Sequence, residues 1–189
     1  MSDSALLAAG AGRLGLALTQ EQQDCLLTYL DGMRAWNERS GLTSSTALAD
    51  AVRVHLLDSL SIAPVLGRHV PGARSLADVG TGAGLPGLVL AVALPGLSVT
   101  LVESIGKKAA FLRWAVEALG LDGRVRVFEG RAEEAGRERT LRESFDVATA
   151  RALGPLPVVA ELTLPLVQVG GVLIAPRGVD GPAEAAAAA

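Results

Sequence analysis

The sequence predicts an α/β protein: a mostly parallel, doubly wound sheet with an N-terminal helical appendage. Three observations predict it. Short apolar strands alternate with helical segments from Ser75 onward, a glycine-rich turn joins the first strand to its helix, and residues 1–70 show only helical periodicity. With 189 residues, 50% of them hydrophobic, the chain is long enough to bury one sizeable core.

In residues 1–70, Thr19 followed three residues later by Gln22 forms a capping box, and a helix of about five turns follows. Leu26, Leu27, Leu30, Met33 and Trp36 recur at three- and four-residue intervals, which gives that helix one buried face. Gly41 ends it, and a second apolar-periodic segment, Ala47 to Leu66, stops near Pro64. No linker-like composition follows, so this region is expected to pack on the main domain, residues 71–178. Strands are expected at Leu76–Val79, Val99–Glu103, Arg124–Phe128, Phe145–Ala150 and Val172–Ala175. Between the second and third, a helix from Gly106 to Leu119 buries Phe111 and Trp114 in the core. Residues 179–189, rich in Gly, Pro and Ala, carry no apolar pattern and read as a disordered or artefactual tail.

The segment Asp78 to Gly87, Asp-Val-Gly-Thr-Gly-Ala-Gly-Leu-Pro-Gly, carries the most chemistry. Gly80, Gly82 and Gly84 let the backbone turn tightly and approach a ligand, and Pro86 suits the first turn of a helix whose N-terminus favours an anionic group. Glu103 ends the second strand 23 positions after Gly80, close to the roughly 20 expected of a carboxylate that binds ribose hydroxyls. The glycine spacing departs from Gly-x-Gly-x-x-Gly, and Asp78 sets a negative charge where a pyrophosphate is repelled and a cationic ligand welcomed. S-adenosyl-L-methionine, with its ammonium and sulfonium, therefore fits better than NAD. Open sheets bind ligands beyond the strand carboxyl ends, which adds Ala132 and Glu133 after the third strand and Arg151 after the fourth. Ala132 leaves room for an adenine, Glu133 can accept from its amine, and Arg151 is expected to orient cofactor or substrate. His55 and Asp58, three apart on a helix, are expected to face one side and form a structural pair.

Composition bounds the function classes. Net charge is −3, with two lysines, Lys107 and Lys108, among 17 cations, so the chain does not have the overall basic character common in nucleic-acid-binding domains. A lone Cys25 forms no internal disulfide or cysteine cluster and reads as core. No apolar stretch approaches the ~20 residues of a membrane span, and no basic region precedes the first apolar run, so a cytoplasmic protein without a signal peptide is expected.

Five segments together resemble one family: Arg53–Leu60 (Arg-Val-His-Leu-Leu-Asp-Ser-Leu), Asp78–Gly87, Gly106–Arg113 (Gly-Lys-Lys-Ala-Ala-Phe-Leu-Arg), Gly130–Glu133 and Ala150–Ala152. The chain is similar, over roughly residues 20 to 178, to the RsmG (GidB) family of 16S rRNA methyltransferases. The resemblance implies a Rossmann-like class I fold, S-adenosylmethionine as donor, and methylation of a guanine N7 in 16S rRNA or the small ribosomal subunit; the protein is expected to be a monomer. It implies cofactor contacts at Gly80, Leu85, Ala132, Glu133 and Arg151. The chain departs from the family pattern at Val54-His55, at Gly41-Leu42-Thr43 and at Pro176-Arg177-Gly178, where the family has Arg-His, Asn-Leu-Thr and Leu-Lys-Gly. A small-molecule methyltransferase and a non-catalytic nucleotide-binding module are the alternatives.

Overall fold

The computed structural model describes residues 2–178 and 181–187. Helix α1 (Asp3–Arg13) is followed by α2 (Gln20–Ser40), α3 (Ser45–Ala49), a wide π-helical turn at Val52–Leu57, α4 (Asp58–Leu60) and α5 (Ile62–His69). Strands and helices then alternate: β1 (Ser75–Val79), α6 (Gly87–Ala93), β2 (Ser98–Glu103), α7 (Gly106–Ala118), β3 (Val125–Glu129), α8 (Ala132–Ala135), β4 (Phe145–Thr149), α9 (Leu156–Thr163) and β5 (Val167–Ile174). The strand order is β3-β2-β1-β4-β5 with every pairing parallel. The chain runs outward from β1 to β3 and then crosses to β4, so the order reverses beside β1. That reversal opens a crevice at the strand carboxyl ends.

Two apolar clusters clothe the sheet. Leu76, Leu101 and Val147 on one face join Leu7, Leu30, Leu60, Leu90 and Phe111 in the larger core, which includes the N-terminal helices. Ala77, Val79 and Val102 on the other face pack with Ala135 and Val159. Each strand thus buries alternate residues in opposite directions, the consequence of a two-residue side-chain period.

Local signals act as the residues dictate. Thr19 Oγ1 accepts from Gln22 N and the Gln22 side chain accepts from Thr19 N, a reciprocal cap worth about 1 kcal/mol. Gly41 turns α2 off in the left-handed conformation at φ 59°. Elsewhere the structure corrects the sequence-based boundaries. The helical segment does not stop at Pro64, because Pro64 is the third residue of α5, in a first turn whose N–H groups have no partner in any case. Helix α6 begins at Gly87, so Pro86 is its N-cap and not part of its first turn, and the Leu85–Pro86 peptide is cis. β5 starts five residues before Val172, and its register shifts where Gly170 adopts φ 87°, so two glycines masked the strand. Within the expected unpatterned tail, Gly181–Ala187 is helical (α10), while positions 179, 180, 188 and 189 lie outside the described residues.

Candidate cofactor site

The three loop glycines all have positive φ, yet they serve different ends. A Cβ at Gly80 would meet Leu153 Cδ1 at 2.6 Å, and one at Gly84 would press into Leu88 and Leu112, so Gly84 backs onto the core. At Gly82 a Cβ meets nothing closer than Gly80 O at 4.0 Å; that position is open. Gly82 N donates to Glu103 Oε2 at 2.9 Å, and Ile105 N donates to Glu103 Oε1 at 2.8 Å. The expected ribose carboxylate is therefore fixed at the end of β2, directly beside the open part of the loop.

Asp78 stands differently from expectation. It is fully buried, and its Oδ2 accepts from Thr81 Oγ1 at 2.6 Å and from Gly87 N at 2.8 Å. This carboxylate ties the first turn of the loop to the start of α6 and does not face a ligand from the surface. Burial pushes its pKa up to about 6 against the opposing pull of the two hydrogen bonds, with Arg151 also lowering it and Glu103 raising it. Oδ1 is buried without a partner, which leaves one acceptor free beneath the loop. Leu85 is also buried, in the larger core.

Beyond the carboxyl ends of β1, β2 and β3, Gly80, Ala132 and Glu133 converge with Val102, Ser104 and Leu153 around a hollow of about 100 Å³. Ala132 is half-buried and Glu133 exposed at its mouth. Arg151 does not join this hollow. Its guanidinium donates to Asp58 Oδ2 at 2.6 Å and to Val54 O at 3.4 Å, which places it against the π-helical turn. Asp58 thus pairs with Arg151 rather than with His55; His55 Nε2 instead meets Thr43 Oγ1 at 3.0 Å. Burial, and then Arg151, lower the His55 pKa. A larger hollow of about 440 Å³ between Leu66 and Pro95 lies away from the glycine loop, and its walls are mostly apolar. We place the site at the smaller one, where loop backbone and carboxylate converge.

Sequence reasoning missed three contributors. Tyr29, buried on α2, donates its hydroxyl to Ala83 O at 2.6 Å and so holds the loop from outside the sheet. Thr81 had a readable signal, the hydroxyl three residues after Asp78. Leu153 reaches Gly80 because Ala152 before it adopts φ 55°, which no residue pattern announces.

Comparison with solved structures bears on the fold. An O-methyltransferase from Bacillus cereus, crystallised with SAH, matches with TM-score 0.59 at 22% identity, over 87% of this chain and 69% of that one. An O-methyltransferase family protein from Burkholderia thailandensis matches with TM-score 0.51 at 19% identity, over 82% and 52%. The fold is that of a class I, Rossmann-like methyltransferase. Residues 22–189 match the family model described as rRNA small subunit methyltransferase G, and the chain belongs to that family. Ribosomal RNA small subunit methyltransferase G of Moorella thermoacetica is 43% identical over 97% of this chain and 75% of the relative. The protein of the same name from Chloroflexus aggregans is 44% identical over 92% and 71%.

Proposed function

We propose that this protein methylates N7 of a guanine in small-subunit (16S) rRNA, with S-adenosylmethionine as donor, and works in the cytoplasm as a monomer. The observation that carries the reading is Glu103, held by Gly82 N and Ile105 N at the strand end beside the hollow of Gly80, Ala132 and Glu133. The residues fit the donor. Gly82 leaves open space where any side chain would intrude, Glu103 keeps lone pairs for ribose hydroxyls, and Ala132 and Glu133 suit the face and amine of an adenine.

When bound, the donor supplies an electrophilic methyl group on a sulfonium. Guanine N7 already carries an in-plane lone pair, so the protein has no proton to remove there and its task is to hold and align. The divergence of His55 and Asp58 toward different partners agrees with that demand, since no His–Asp dyad forms between them. Arg151, two residues past the end of β4, lies against the π-helical turn and outside the hollow. Its remaining N–H groups are suited to a guanine O6. Chain scission at 7-methylguanine, compared in rRNA from cells with and without the gene, tests the reading: one cleavage site present with the gene and absent without it is expected, and an unchanged pattern overturns it.

A further inference from the structure

We infer that Lys107 and Lys108 form a contact for the phosphate backbone of the RNA, an inference that rests on the substrate reading above. They are the chain's two lysines, and they occupy the first turn of α7, four and five residues after Glu103. Neither ammonium pairs with a carboxylate among the described residues, although acidic groups outnumber basic ones by 20 to 17. Glu129 stands beside Gly106 at this same helix start, yet its carboxylate is engaged by Arg113. A helix N-terminus favours acids and disfavours cations, so the stability of α7 does not account for two lysines in its first turn. Lys107 Nζ also lies 3.8 Å from the Cβ position of Gly41, where α2 ends. Arg39, exposed and without an ion-pair partner among the described residues, is two residues before that turn. The start of α7 and the end of α2 thus meet at Lys107, beside the Glu103 end of β2.

The occupant must be a polyanion approached from the strand carboxyl ends. A protein of net charge −3 repels RNA at long range, so attraction has to come from such a local concentration of unneutralised cations. Lysine, a point charge on a flexible stem, suits backbone phosphates, which position the RNA, more than base edges, which specify it.

The test measures binding of the full-length protein to small subunits and to naked 16S rRNA across a salt series. For Lys107→Ala/Lys108→Ala, the slope of log K against log salt should become shallower by about 1 to 2. Lys107→Arg/Lys108→Arg should restore the wild-type slope, and SAH affinity by calorimetry should be unchanged in both. Arg126→Ala/Arg139→Ala should leave the slope as it is, because Arg126 and Thr140, the neighbour of Arg139, line a hollow at the strand-start end of the sheet. A wild-type slope in the double alanine variant, or an equal loss in the Arg126/Arg139 control, overturns the inference while the substrate reading stands. A wild type that binds neither form of the RNA overturns the substrate reading and this contact with it.

Discussion

At the residue scale, Asp78 shows how a motif letter can be right and its role different. The sequence places an acid two positions before the first loop glycine, and a negative charge facing a cationic ligand is the simplest inference from that letter. Burial depends on what packs above it, and here the loop itself folds over the carboxylate, with Thr81 and Gly87 as its partners. The pH consequence follows from linkage. A carboxyl whose folded pKa is about 6, above the unfolded value of about 3.9, gives stability that is full below the unfolded value and lost as pH rises through 6. Asp78→Asn should therefore remove a decline in unfolding free energy of the order of 3 kcal/mol between about pH 4 and pH 7. Urea melts of both proteins across that range check it; identical profiles would show that Asp78 ionises as it does in the unfolded chain. The position of Glu103 beside the loop, by contrast, was readable from spacing, because a strand end and a fixed distance from the loop are local properties. Arg151 was readable as a strand-end residue, but its partner Asp58 lies 93 positions away and comes only with the tertiary fold.

At the scale of elements, the central strands were legible because buried parallel strands read as continuous apolar runs. α2 was legible from its cap, stripe and terminal glycine. β5 was not fully legible, since Gly170 and Gly171 interrupt its pattern and exposed Val169 gives no inward face. The link between α2 and the glycine loop was also hidden, because Tyr29 reads as one more residue of an apolar stripe. Its hydroxyl is the partner of a buried loop carbonyl, and Tyr29→Phe leaves Ala83 O without it. The expected cost is about 1–3 kcal/mol of stability, together with weaker SAH binding. Thermal melts and calorimetry on the variant check both, and unchanged SAH affinity would confine Tyr29 to a packing role.

At the scale of the whole molecule, the N-terminal helices and the sheet bury one continuous apolar cluster that runs from Leu7 to Val147. Trp36 on α2 and Trp114 on α7 meet across this boundary with ring centroids 5.9 Å apart. Tryptophan emission therefore reports the junction while far-ultraviolet circular dichroism reports all the helices. A shared core should unfold as a unit, so the two probes should give the same midpoint in guanidinium. An earlier fluorescence transition would show that the helical region detaches first. The doubly wound class was legible from the alternation of strands and helices, and the depth of this junction was not, because one chain's pattern marks buried faces without marking which faces meet.

The anchoring of α2 also constrains chain length. Gln22 donates to Val92 O and Ala93 O at the finish of α6, and Tyr29 reaches Ala83 O just before its start, so the two helices run side by side in opposite directions. The interval from Gln22 to Tyr29 acts as a ruler laid against α6. One residue gained or lost within it swings one anchor about 100° away from its acceptor. Substitutions at its exposed positions, Asp24 and Thr28, are tolerable there and changes of length are not, whereas the short connection from α1 to α2 can absorb them.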